Sequence, residues 1–169
     1  TGVQTCALPI WYKDDKFLVF SHTKRTGELM KKELMSSGIE CQFHNADLES
    51  AERAKVEDRF KNDPKLRVIV ATSTLAWGLN MPARRVIILG VHRGVDEVES
   101  HDILQMIGRS GRYGIDPMGD AYILVPESDV NKYKAKFSKS NRIESQLLEK
   151  VGNNYKTLAF HLVSEIFFG

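Results

Sequence analysis

Short apolar runs recur along this chain, each followed by a polar stretch and then by helical spacing. Phe17-Leu-Val-Phe20 is wholly apolar, the pattern of a strand buried on both faces. It passes into the polar loop Ser21–Arg25, which opens a predicted helix carrying Leu29, Met30 and Leu34 on one side and stopping at Gly38. Ile39, Cys41 and Phe43 alternate with polar residues and predict a second strand, closed by His44-Asn45-Ala46. Ser50 precedes a charged helix over Ala51–Phe60, supported by Ala54, Val56 and Phe60 and broken at Asn62-Asp63-Pro64. Val68–Ala71 is β-branched and continuous, and Val86–Leu89 repeats its character. Ser100 stands before a helix with Ile103, Leu104 and Ile107, and Gly119–Val125 alternates inward at Ala121, Ile123 and Val125. Strands alternating with helices at this spacing predict an α/β fold with a mostly parallel sheet covered by helices.

Composition changes this picture little. The chain has 169 residues, 42% hydrophobic and 27% charged, values of an ordinary globular protein. Its net charge of +2 argues neither for nor against a nucleic-acid partner. Two cysteines, Cys6 and Cys41, have no metal-ligand spacing and fit a reducing, intracellular setting. No apolar run approaches the ~18 residues of a membrane span. Thr1–Ile10 carries no charge and lacks the pattern of a signal peptide; it reads as a non-native leader. The expected organisation is this leader, an α/β domain over residues 11–127, and a basic helical extension over 128–169. In that extension Lys132, Lys134, Lys136, Lys139 and Arg142 interleave with Tyr133 and Phe137, and a last helix carries Leu158, Leu162 and Ile166.

The chemistry-bearing stretches sit on the junctions. Gln105-Met-Ile-Gly-Arg-Ser-Gly-Arg112 sets two arginines three residues apart, each behind a glycine, at a helix end. Guanidinium forks suit phosphate oxygens, although a cationic helix C-terminus is also an ordinary cap. Thr72, Ser73 and Thr74 supply hydroxyls where a strand ends, and Gly78 and Pro82 shape the loop that follows. Ser21 and Thr23 do the same after the first strand, as helix caps or as ligand contacts.

Together these stretches resemble the second RecA-like domain of superfamily 2 helicases, in the Ski-type DExH branch. Phe17–Arg25 is similar to motif IV, His44-Asn-Ala with Ser50–Phe60 to the segment after it, Ala71–Ala83 to motif V, and Gln105–Arg112 to motif VI. The resemblance covers Lys16–Val125 and continues weakly into a winged-helix region of which only the beginning is present. It implies a three-layer α/β/α domain that is half of an ATP-driven motor. Arg109 and Arg112 are implied as arginine fingers on the γ-phosphate, Gln105 as an organiser of the cleft, and Gly78 and Asn80 as nucleotide contacts. Ser21, Arg25 and Thr72 are implied contacts to the backbone of a DNA or RNA single strand, independent of sequence.

ATP and Mg2+ are implied to be held mainly by an N-terminal RecA-like domain. This chain contains no G-x-x-x-x-G-K-(S/T) loop and no D-E-x-H box, and Asp96-Glu-Val-Glu99 follows no apolar strand. The chain alone is therefore expected to be an inactive fragment. The stretch Gly90–Ser100 is shorter than the strand-separating hairpin usual in this branch, and lacks its alternating aromatics. Two other functions compete: a non-catalytic nucleic-acid-binding module that keeps the fold, and an unrelated nucleotide-binding α/β enzyme. The latter would want a glycine-rich loop after the first strand, and Ser21–Arg25 has none.

Overall fold

The computed structural model describes residues 15–73, 81–112 and 114–138. Residues 74–80, which carry Thr74, Trp77, Gly78 and Asn80, lie outside the described residues. So do the leader at Thr1–Ile10, Lys139, Arg142 and the helix expected from Tyr155.

Among the described residues the element order is β1 (Phe17–Ser21), α1 (Lys24–Ser36), β2 (Cys41–His44), α2 (Ser50–Asn62), β3 (Val68–Thr72), β4 (Arg85–Ile88), β5 (His92–Arg93), β6 (Asp96–Glu97), α3 (Ser100–Ile107), β7 (Asp120–Ile123) and α4 (Val130–Ser138). Five strands form one sheet in the order β2-β3-β1-β4-β7. All its pairings are parallel, with Ser21 beside Thr72 and Phe17 beside both Val68 and Arg85. The fold is the α/β architecture with a parallel sheet that the alternation of elements predicts.

The continuous apolar runs became central strands because both pleat faces are covered. Phe17, Val19, Cys41, Phe43, Val68, Val70 and Ile87 form one core layer with Leu34 of α1, and Met30 packs against it. The alternate residues Leu18, Phe20, Ile69, Val86 and Ile88 face the other way by strand geometry and are fully buried too. Helix α3 packs on β4 and buries Ile103 and Met106 completely.

Several expectations change in detail. Leu29 is 60% exposed, so only Met30 and Leu34 serve the core side of α1. Ala54 is exposed, leaving Phe60 as the anchor of α2. Glu49 and Glu99, without side-chain caps, precede α2 and α3, and Ser50 and Ser100 are first helical residues. The first helix keeps its expected cap: Thr23 accepts a hydrogen bond from the Thr26 amide at 3.1 Å. Strand β7 is the sheet edge, so Ala121 is exposed rather than turned inward. The polar stretch after β4 forms a small antiparallel hairpin, β5–β6, turning at Gly94, whose φ is +68°.

The chain divides into two compact units between Lys132 and Tyr133. In the second, Tyr133 and Phe137 stack with centroids 6.1 Å apart.

Candidate nucleotide and strand-binding edges

Parallel strands give the sheet two chemically different edges, and the candidate residues divide between them. Lys16, Ala83, Arg85 and Asp120 lie where strands begin; Ser21, Thr72 and Ser73 lie where they end.

At the beginning edge, the lead-in to β4 is stitched to the loop after α3. Ala83 forms an isolated parallel bridge with Ser110. The Ala83 amide donates to the Arg109 carbonyl at 3.0 Å, and the Gly111 amide donates to the Ala83 carbonyl at 2.7 Å. The two glycines of this loop differ. Gly108 ends α3 with ordinary helical dihedrals, φ −61°, whereas Gly111 has φ +87° and needs the left-handed region. A third glycine, Gly119, lets the chain pass close: a Cβ there would lie 2.3 Å from the Ser110 carbonyl carbon.

The loop therefore delivers Arg109 and Arg112 from a braced backbone. Arg109 is half-buried, and Gln105, one turn earlier on α3, is exposed. Arg112 is gripped by a residue that the spacing of motif VI does not reveal. Its Nε and Nη2 both donate to the Asp116 carboxylate at 2.8 Å, and its backbone amide donates to Asp116 Oδ2 at 2.8 Å. This charge-assisted fork holds the Asp116 carboxyl below the usual range and pushes the Arg112 guanidinium up. The available signal was an aspartate four residues beyond the arginine, with Gly114 between them.

Arg112 lines an open cavity of about 300 Å³ together with Lys16, Phe60, Lys61, Met81 and Pro82. Lys16 is fixed there by donating to the carbonyls of Asp63 at 2.7 Å and Leu66 at 2.9 Å. Burial lowers the pKa of its ammonium, and the nearby Arg112 adds to that. Lys16 went unnoticed in sequence because it stands alone before an apolar run. Gly78 and Asn80 lie outside the described residues, so the nucleotide contacts expected of them have no geometry here.

At the ending edge, Ser21 and Thr72 stand side by side on adjacent strands. Ser21 is completely buried, and its hydroxyl donates to the carbonyls of Thr23 at 3.2 Å and Ala71 at 3.4 Å. Thr72 is 7% exposed, and Arg25 is exposed on the first turn of α1. The β5–β6 hairpin is tied to the same edge. Arg93 Nη2 donates to Ser73 Oγ at 2.7 Å, and His22 Nε2 donates to the Gly90 carbonyl at 2.8 Å.

The chain matches the model of the helicase conserved C-terminal domain over residues 5–114. It is 33% identical over 153 residues to the probable ATP-dependent helicase MJ1401 of Methanocaldococcus jannaschii, covering 86% of this chain and 19% of that protein. It is 40% identical over 119 residues to the DExH-box ATP-dependent RNA helicase DExH14 of Arabidopsis thaliana, covering 67% of this chain and 6% of that protein. The chain thus spans a minor part of these curated relatives. Among solved structures it resembles the C-terminal domain of the DEAD-box protein Dbp5, with TM-score 0.63 and 25% identity over 78% of this chain and 74% of that one. Among the described residues no helix is long and apolar enough to cross a membrane. With both edges and these relatives in view, the chain belongs to the helicase conserved C-terminal domain family, the second RecA-like domain of superfamily 2 helicases.

Proposed function

We propose that this domain completes the ATPase site of a nucleic-acid helicase or translocase and grips a single strand of DNA or RNA at its opposite edge. The nucleotide and Mg2+ are held mainly by a separate RecA-like domain with a phosphate loop, packed against the edge where the strands begin. Arg109 and Arg112 supply positive charge to the γ-phosphoryl group as its bond to the leaving oxygen breaks, and Gln105 faces the same cleft. Preplaced guanidinium groups of this kind contribute about 10³–10⁵ in rate in comparable nucleotide hydrolases.

The observation that carries this reading is the stitching of Ala83 to Arg109–Gly111. It joins the end of motif V to motif VI and braces the loop that carries both arginines. The strand grip falls to Arg25 and Thr72, with Ser21 bracing the loop from behind. Those contacts are to phosphate and sugar, which fix register without reading bases. Closing of the two domains on ATP and their release after hydrolysis then alternate the grips along the strand.

The test is Arg112→Ala in the full-length protein carrying this domain. Strand-stimulated ATP hydrolysis falls about 10³-fold or more, while strand affinity stays near that of the parent. Near-normal turnover would instead favour a non-catalytic strand-binding module.

A further inference from the structure

The structure points to Asp116 as a positioning residue for hydrolysis: it holds Arg112 by the Nε–Nη2 edge of the guanidinium and thereby aims the remaining donors. This rests on the reading of Arg112 as a finger. Of the five N–H donors of a guanidinium, the Asp116 fork takes two, at 2.8 Å each. The other three lie along Nη1 and the far side of Nη2, on a side chain that lines the cavity beside Lys16.

A second arginine–aspartate pair at the same spacing shows what is unusual here. Arg59 and Asp63 meet through one Nη2 contact at 2.9 Å, with the arginine side chain 43% exposed, as is ordinary for a surface pair. The Arg112 side chain is 24% exposed and that of Asp116 only 7%, and the pair is bidentate. The backbone closes the same ring. The amides of Ile115 and Asp116 donate to the Arg112 carbonyl at 3.0 and 2.9 Å, and Gly114, φ +77°, permits the turn.

A long, flexible arginine is thus held at both its backbone and its side chain by one carboxylate. Rotamer freedom that a finger would lose on meeting the nucleotide is lost beforehand, the condition for charge stabilisation without reorganisation. Misplacing such a group by ~1 Å costs on the order of 10² in rate.

The test compares Asp116→Asn, Asp116→Glu and Arg112→Ala in the full-length protein. The measurements are kcat and KM for ATP, and affinity for ADP, for ADP with aluminium fluoride, and for a single strand. Asp116→Asn is expected to lower kcat about 10²-fold, leaving KM, ADP affinity and strand affinity near those of the parent. Affinity for ADP with aluminium fluoride, which mimics the transferring phosphoryl group, falls in step with kcat. Asp116→Glu recovers part of the loss. Combining Asp116→Asn with Arg112→Ala is no slower than Arg112→Ala alone, since the two act as a unit.

Parental or faster turnover in Asp116→Asn, with Arg112→Ala inactive, overturns this inference alone. Retained turnover in Arg112→Ala overturns the finger reading and this inference with it. Parallel loss of kcat, ADP binding and strand binding in Asp116→Asn marks a merely structural pair and also overturns it. Should Asp116→Asn not accumulate as folded protein, Asp116→Glu decides. A lowered kcat with unchanged ADP and strand affinity supports positioning, and parental kcat refutes it.

Discussion

His22 and His44 each bury an imidazole with one nitrogen satisfied. The Nε2 of His22 meets the Gly90 carbonyl at 2.8 Å, and that of His44 meets the Glu57 carboxylate at 3.3 Å. Both partners only accept, so Nε2 carries the proton in each ring, and both Nδ1 atoms are buried without a partner. A second proton would have no acceptor. Burial lowers both pKa values below 6.5, against the raising effects of the Gly90 and Glu57 hydrogen bonds. Below pH 6.5 the unfolded chain therefore binds protons that the folded one refuses. Stability is complete above that pH and declines as pH falls from about 6.5 toward the lowered folded values. Urea midpoints at neutral and mildly acidic pH should show this decline, and His44→Gln should remove part of it; a flat profile would refute the assignment. The sequence showed His44 as a packed or loop histidine without a metal-binding partner. Its partner is the Glu57 carboxylate of α2, a tertiary contact that no local pattern announces.

The elements were legible wherever one physical rule acted alone. Phe17–Phe20 and Val68–Ala71 are apolar throughout, and burial on both faces follows directly. Rules failed where tertiary position competed with local pattern. Ala121 alternates correctly, but its strand is an edge; Leu29 has helical spacing, but points away from the sheet. The glycines of motif VI were legible as a group and not individually. Gly111 needs its positive φ, Gly108 does not, and Gly119 outside the motif matters for close approach. Gly119→Ala would drive a methyl into the Ser110–Gly111 backbone, 2.3–2.5 Å away. We expect a loss of about 1–3 kcal/mol in unfolding free energy, with ATP hydrolysis reduced more than strand binding. Gly108→Ala meets its neighbours no closer than 3.4 Å and should be nearly neutral in the same assays. Equal effects of the two substitutions would contradict this account of the loop.

Across the whole molecule, chemistry is divided by strand direction. The beginning edge carries Arg109, Arg112 and Lys16; the ending edge carries Thr72, with Arg25 on the helix that leaves it. The order of motifs suggested one motor domain, but not that its candidate nucleotide and strand residues lie at opposite ends of one sheet. That separation makes the functions independently removable. Arg25→Ala should weaken single-strand binding and flatten its salt dependence by about 0.7 in log–log slope, the value for one lost phosphate contact. Hydrolysis at saturating strand should then stay near the parental rate.

The most direct test sets Arg112→Ala beside Arg25→Ala in the full-length protein, with kcat for ATP and single-strand affinity measured on the same preparations. A crossover is expected: Arg112→Ala loses hydrolysis and keeps the strand, and Arg25→Ala loses strand affinity and keeps hydrolysis. Both activities falling together in either variant, or hydrolysis surviving in Arg112→Ala, would contradict it.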